Sequence, residues 1–357
     1  MLRFPEIKTA LVTGATGYVA GWVIKRLLEE GFTVHAAVRD PSKADKLKHL
    51  DAMVETSPGT IKYFKSDLMQ PGSYAEAMDG CAVVFHTASP FVLGVEDPQK
   101  DLVDPAVQGT RNVLEQVNQT PSVERAVVTS SCAAIYGDNI DLKKTPDGTF
   151  TEAIWNTSSS LRHQAYSYSK TMAEKEAWKI AEAQGRWTMG TVNPSFVLGP
   201  ATNPDASGES ISFIRQNGDG TMRSGTLDLG MGVVDVRDVA EMHLLVAFHP
   251  AASGRYITSG HNSGFLEVAQ ILRERFGDQY PIPKRAMPKW LVWLVGPIID
   301  KRMTRQTVSK NVGLRWVGDN SKSRNELGMV YRPLEETVVE MFQQQIDRGA
   351  FKPAGAA

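Results

Sequence analysis

The chain has 357 residues, 42% hydrophobic and 22% charged, an ordinary globular composition long enough for two domains or one with an appended lobe. A formal net charge of -1 offers no basic field for nucleic acid and no polybasic membrane patch. Two cysteines, Cys81 and Cys132, cannot build a disulfide framework, and the first residues lack a signal-peptide pattern, so a reducing, cytoplasmic setting is expected.

The predicted elements begin with a buried strand at residues 9–12, a glycine-rich turn, and apolar residues at helical spacing over 18–30. The turn reads Thr13-Gly14-Ala15-Thr16-Gly17-Tyr18-Val19-Ala20. Gly14 and Gly17 permit a tight turn and close approach to a pyrophosphate, and Ala20 lets helix and strand pack closely. Phosphate oxygens would then rest on amides at the helix N-terminus, where the macrodipole favours negative charge. Thr13, Gly14, Thr16, Gly17, Tyr18 and Val19 are therefore expected to hold a dinucleotide.

The second strand, 33–38, ends in Val38-Arg39-Asp40-Pro41. An acidic residue at this strand end would bond the ribose hydroxyls and select NAD, whereas Arg39 suits a 2′-phosphate. Lys43 and Lys46 follow on the next helix and add to this charge or form a solvated basic face. NADP(H) is the expected cofactor unless Asp40 points inward.

Apolar runs at 61–65, 82–87, 125–130 and 187–193 alternate with helical stretches at 42–55, 72–78, 98–118 and 164–184. This alternation predicts an α/β fold with a doubly wound parallel sheet and ligands at the carboxyl ends of its strands. Asp67 and Leu68 are then placed at the adenine, and Thr87, Ala88 and Ser89 near the ribose and pyrophosphate. In Thr129-Ser130-Ser131-Cys132, either Ser130 or Ser131 can donate to a substrate oxygen or bond local backbone. Tyr166 and Lys170 lie on one helix face at i, i+4. A free phenol ionises near pH ~10, and an adjacent ammonium lowers that value, making the pair a candidate acid–base group. Tyr280 and Lys284 repeat the spacing, but Pro281 and Pro283 exclude a regular helix there.

Beyond Pro194 the pattern loosens. Residues 199–220 read as loop, 232–248 as helix, 255–259 as strand, and the remainder as helices interrupted by prolines over 281–288. The most apolar late segment, 290–299, is too short to span a bilayer; it reads as a core helix in preference to a pocket wall, lined by Trp290, Leu291 and Trp293, or an interfacial helix. A dinucleotide-binding domain is expected at 1–195 plus about 230–262, with an interleaved C-terminal substrate lobe at about 196–229 plus 263–350. Phe91, Tyr136, Phe196 and Ser131 are candidate substrate contacts, the aromatic ones equally suited to core packing.

The ordered set of the glycine turn, Val38-Arg39-Asp40-Pro41, Asp67-Leu68, Thr129-Ser130-Ser131, Tyr166-x-x-x-Lys170 and Asn193-Pro194-Ser195-x-Val197-x-Gly199-Pro200 resembles the extended short-chain dehydrogenase/reductases. Within them it is similar to the dihydroflavonol-reductase-like branch of plant flavonoid reductases and microbial aldehyde or ketone reductases. The resemblance implies a Rossmann domain that binds NADP(H), uses no metal, and reduces a small-molecule carbonyl reversibly to an alcohol as a monomer or homodimer. It implies Ser131 as the catalytic serine, Tyr166 as proton donor, Lys170 as the lysine that also holds the nicotinamide ribose, and Asn112 as a supporting residue. Arg39 and Lys46 would meet the 2′-phosphate, and Pro194, Ser195 and Val197 would line the nicotinamide. Cys132-Ala133-Ala134-Ile135-Tyr136-Gly137 lacks the asparagine that flavonoid reductases turn on their polyphenol and resembles a stretch of sugar-nucleotide epimerases. A smaller or differently polarised aldehyde or ketone is therefore expected. The rival activities are a sugar-nucleotide epimerase, a hydroxysteroid dehydrogenase of the same superfamily, and a non-catalytic dinucleotide sensor.

Overall fold

The computed structural model describes residues 2–89, 95–203 and 205–351. Its first half alternates strand and helix as β1 (Thr9–Thr13), α1 (Tyr18–Glu29), β2 (Thr33–Val38), α2 (Ala44–Val54), β3 (Thr60–Lys65), α3 (Ala75–Met78), β4 (Val83–His86), α4 (Asp104–Gln119), β5 (Arg125–Thr129), α5 (Ala165–Glu182) and β6 (Thr188–Pro194). The second half holds β7 (Phe196–Leu198), α6 (Glu209–Gly218), β8 (Gly230–Asp235), α7 (Val236–Phe248), β9 (Gly254–Thr258), β10 (His261–Gly264) and α8 (Phe265–Phe276). Four helices follow: α9 (Lys289–Ile299), α10 (Arg305–Asn311), α11 (Ser321–Leu327) and α12 (Leu334–Asp347).

Seven parallel strands form one sheet in the order β3-β2-β1-β4-β5-β6-β9. The central strands are apolar on both faces because each face is covered. On one side α1 buries Val23, Ile24, Leu27 and Leu28 at helical spacing in a core shared with Val239 and Leu244 of α7. On the other, Val113, Leu114 and Val117 of α4 pack with Ala177 of α5 and Trp187. Each large apolar side chain so buried contributes roughly 1.5–3 kcal/mol. The chain reverses its winding between β1 and β4, which opens a crevice at their carboxyl ends.

A second sheet, β10-β8-β7, backs onto a separate core of Leu198, Ile214, Val233, Leu272, Val338 and Phe342. Three expectations change here. The stretch expected as helix from 232 is strand β8 up to Asp235, whose side chain then caps α7 by accepting from the Arg237 amide at 2.8 Å. Residues 230–262 therefore divide between the two sheets: β8 and β10 join the small one, and β9 completes the large one. The expected loop over 199–220 contains α6, whose apolar face reaches the second core. Lastly, α9 is not a core helix: only Val292 and Gly296 are buried, whereas Trp290, Trp293, Leu294, Ile298 and Ile299 face solvent.

Candidate active site

The turn after β1 is shaped by contact with the segment after β4. Gly14 adopts φ 64°, and a Cβ there would lie 2.9 Å from Ala88 Cα, so both backbone angle and space require glycine. Thr13 is wholly buried: its hydroxyl accepts from the Ala88 amide at 3.0 Å and lies 3.0 Å from His86 Nδ1. Thr87 donates its hydroxyl to the Thr13 carbonyl. Thr13 thus joins the two loops instead of facing the cleft. Burial pushes His86 down to about 3, so the imidazole beneath the turn is neutral.

Thr16 and Gly17 are exposed at the start of α1. Gly17 supplies no capping side chain and the first turn carries no acid, which leaves the positive helix end open to an anion. Tyr18 donates to the Gly199 carbonyl at 2.5 Å, and Trp22 Nε1 to that of Pro200 at 2.8 Å, pinning α1 to the segment after β7. Burial, reinforced by Asp235, raises the Tyr18 phenol well above its ordinary value, so it remains a donor.

At the end of β2, Arg39 is exposed and has no acceptor among the described residues. Asp40 is turned away into a local turn, accepting from the Ser42 hydroxyl at 2.6 Å and amide at 3.0 Å. Those bonds hold its carboxyl below the ordinary range. Lys43 lies 3.7 Å from Asp40, whereas Lys46 is exposed and unpaired among the described residues. Asp67 caps the Met69 amide at 2.9 Å, and Leu68 packs so closely on Gly109 that a Cβ there would come within 2.6 Å of Leu68 Cγ. Asn112 donates to the Leu68 carbonyl at 2.9 Å and accepts from Gln108 at 2.7 Å. It supports this loop and makes no hydrogen bond to Ser131, Tyr166 or Lys170.

The two serines after β5 separate clearly. Ser130 is buried and donates to Glu174. Ser131 caps the short helical turn Cys132–Ala134 by accepting from the Ala133 amide at 3.1 Å, leaving its proton free to be donated. Tyr166 stands in the first turn of α5, 55% exposed, and Lys170 Nζ lies 5.8 Å from its ring centre and 3.0 Å from Ser89 Oγ. Gln164, just before the helix, is the one non-glycine residue with positive φ (54°) among those described. Gly17, Ser131, Tyr166, Lys170, Ser195 and Val197 line one cleft of about 280 Å³, with Pro194 on the same wall. The Ser195 hydroxyl is buried there without a partner among the described residues.

Beneath the cleft lies a network absent from the sequence-based expectations. Glu174, four residues after Lys170 and 1% exposed, pairs with Arg255 of β9 at 2.5 Å and accepts from Asn193 at 2.7 Å as well as from Ser130. Asn193 also donates to the Ser131 carbonyl at 3.3 Å, and Arg255 stacks on Trp155 at 3.9 Å. An acid at i+4 from Lys170 was a visible signal, but its partner is 81 residues away.

Of the aromatic candidates, Tyr136 stacks on Phe150 at 4.7 Å and Phe196 packs edge-on against Phe213 at 5.4 Å, so both serve as packing. Phe91 falls outside the described residues.

Residues 10–258 match the model of the NAD dependent epimerase/dehydratase family. The chain is 38% identical to a cinnamoyl-CoA reductase of Medicago truncatula over 92% of its length and 93% of the relative's. It is 40% identical to tetraketide alpha-pyrone reductase 1 of Arabidopsis thaliana, over 77% of this chain and 82% of that one. Among solved structures, the Gre2 of Candida albicans in complex with NADPH superposes with a TM-score of 0.74 at 27% identity, covering 95% of this chain and 99% of the other. The yeast methylglyoxal/isovaleraldehyde reductase complexed with NADPH gives 0.75 at 25% identity, covering 96% and 100%.

Proposed function

The chain belongs to the NAD dependent epimerase/dehydratase family, among the extended short-chain dehydrogenase/reductases, and on that basis we propose that it is an NADPH-dependent reductase of an aldehyde or ketone. The observation that carries this reading is the convergence of Ser131, Tyr166 and Lys170 with the open end of α1 and the Pro194–Val197 wall on one cleft. The residues fit the cofactor: the cradle at Gly14 excludes a Cβ, and the unpartnered Ser195 hydroxyl offers a polar contact beside the proposed nicotinamide position. Arg39 and Lys46 present unpaired positive charge where a 2′-phosphate would lie, while Asp40 is engaged elsewhere.

Bound NADPH supplies a hydride to the carbonyl carbon. Ser131 donates its free proton in a hydrogen bond to the carbonyl oxygen, and Tyr166 delivers a proton to that oxygen as negative charge develops. Lys170 places an ammonium beside Tyr166 and, through Ser89, anchors the cofactor side of the cleft. The relatives named for cinnamoyl-CoA and tetraketide reduction favour a reductase over an epimerase, as does the exposed Arg39. The stretch from Cys132 to Gly137 carries no asparagine to meet a polyphenol, which supports a smaller or differently polarised carbonyl substrate.

The deciding experiment follows nicotinamide absorbance with NADPH or NADH against aliphatic, aromatic and α-keto carbonyls. Carbonyl-dependent oxidation with NADPH preferred is expected, and Tyr166→Phe should lose turnover while binding NADPH normally. Turnover retained in that variant would refute the assignment.

A further inference from the structure

Helix α9 is unusual in what it leaves in water. Trp290 is 68% exposed, Leu294 52%, Ile298 84% and Ile299 79%, with Trp293 beside them. Trp290, Trp293, Leu294 and Ile298 recur at helical spacing and form one apolar face. The opposite face is anchored: Val292 packs with Val308 and Val312, and Gly296 sits 3.5 Å from Met303 as measured from an ideal Cβ. The same small core includes Leu227 and Met287, so the helix is fixed to its surroundings while its apolar side is bare.

The charge around this face is equally one-sided. Residues 284–305 contain Lys284, Arg285, Lys289, Lys301, Arg302 and Arg305 against Asp300 alone, in a chain whose net charge is -1. Asp278 pairs with Lys284, Arg302 pairs with both Asp300 and Glu209, and Lys289 donates to the Ser309 and Val312 carbonyls, which leaves Arg285, Lys301 and Arg305 without an acid partner among the described residues. Arg305 stacks its guanidinium on Trp293 at 4.5 Å, holding charge at the border of the apolar face. An even overall balance therefore hides a locally basic region.

We propose that α9 docks the protein on an anionic lipid surface. Exposed tryptophans and aliphatic side chains with the Arg305 guanidinium at their border and Arg285 and Lys301 in the flanking segments suit the boundary between acyl chains and negative headgroups. The helix lies on the surface and does not cross it: eleven residues extend about 16 Å, against roughly 30 Å of hydrocarbon. No helix among the described residues is long and apolar enough to cross a membrane. A second copy of the chain fits less well, since a two-fold contact would bring the two cationic borders together. The inference is independent of the proposed reaction because its readout is binding.

Full-length protein is sedimented with phosphatidylcholine vesicles, with and without phosphatidylglycerol, at low and high salt. At least about tenfold more protein is expected on the anionic vesicles, with most of the gain lost at high salt. Trp290→Ser combined with Ile298→Ser should reduce that binding by a similar factor while circular dichroism and NADPH binding stay unchanged. Equal binding to both vesicle types, or undiminished binding by the double variant, overturns the proposal. So does a dimer in sedimentation velocity that the same double variant dissolves without any vesicle binding by the parent protein.

Discussion

Ser130 donates its proton to Glu174 below the end of β5, whereas Ser131 uses only an acceptor lone pair, on the Ala133 amide. The two replacements by alanine should accordingly differ in kind. Ser131→Ala is expected to lower kcat about 10²- to 10³-fold, the usual effect of removing one donor from a developing oxyanion, with NADPH affinity retained. Ser130→Ala should appear in thermal or urea unfolding, because it removes a hydrogen bond from a buried carboxylate. Arg39→Ala belongs to the same scale. Loss of a charge-assisted contact of about 1.5–3 kcal/mol predicts a KM for NADPH raised about tenfold or more, with KM for NADH little changed. A KM ratio that does not move would remove Arg39 from the 2′-phosphate site. All these residues were visible in the sequence as types. Which serine was free depended on Glu174, a neighbour brought in by folding, whereas Asp40 was turned by Ser42 two residues away.

At the scale of the element, α5 carries two functions on two faces. Tyr166 and Lys170 border the cleft, while Glu174 enters the interior and binds Arg255 across β6 and β9. Breaking a buried pair by removing one partner strands the other charge, so Arg255→Ala should cost about 3–5 kcal/mol in chemical denaturation. Glu174→Gln is expected to cost a comparable amount, because a neutral amide whose oxygen accepts from Ser130 and Asn193 turns its NH2 toward the Arg255 Nε donor and leaves that buried cation unpaired. The β1–α1 turn makes a matching test. Gly14→Ala must adopt a left-handed backbone and meet Ala88, so NADPH affinity and melting temperature should fall together. The β1–β6 alternation was legible because buried parallel strands and amphipathic helices have different periods. Strand β8 was not, since Val233, Val234 and Asp235 run directly into the apolar residues of α7 with only the Asp235 cap between them. Helix α9 was misplaced for another reason: strong hydropathy cannot say whether a helix face is covered.

Across the whole molecule, two buried histidines contribute to the response to acid. His86 and His243 are pushed down to about 3 and about 4 by desolvation, below the value near 6.5 expected in an unfolded chain. Above pH ~6.5 neither state binds these protons, and stability is full. As pH falls below that value the unfolded chain takes them up and the folded chain does not. Stability should then decline by about 1.4 kcal/mol per pH unit for each histidine until the folded-state values are reached. His243→Gln should flatten part of that decline in urea midpoints measured between about pH 4 and about pH 7, which span the folded and unfolded values of this histidine. An unchanged slope would show that His243 titrates normally in the folded protein.

The family, the α/β architecture and the residue types of the candidate site were legible from the chain alone, because these rest on local spacing: glycines in a turn, hydroxyls after a strand, a phenol and an amine one helical turn apart. Tertiary structure decided what local spacing cannot encode. It joined Arg255 to Glu174, gave Thr13 to the support of the β4 loop, committed Ser130 to the interior and left Ser131 available, and exposed α9. Each of these depends on partners distant in the chain, and only folding sets which polar groups are satisfied and which apolar faces are covered.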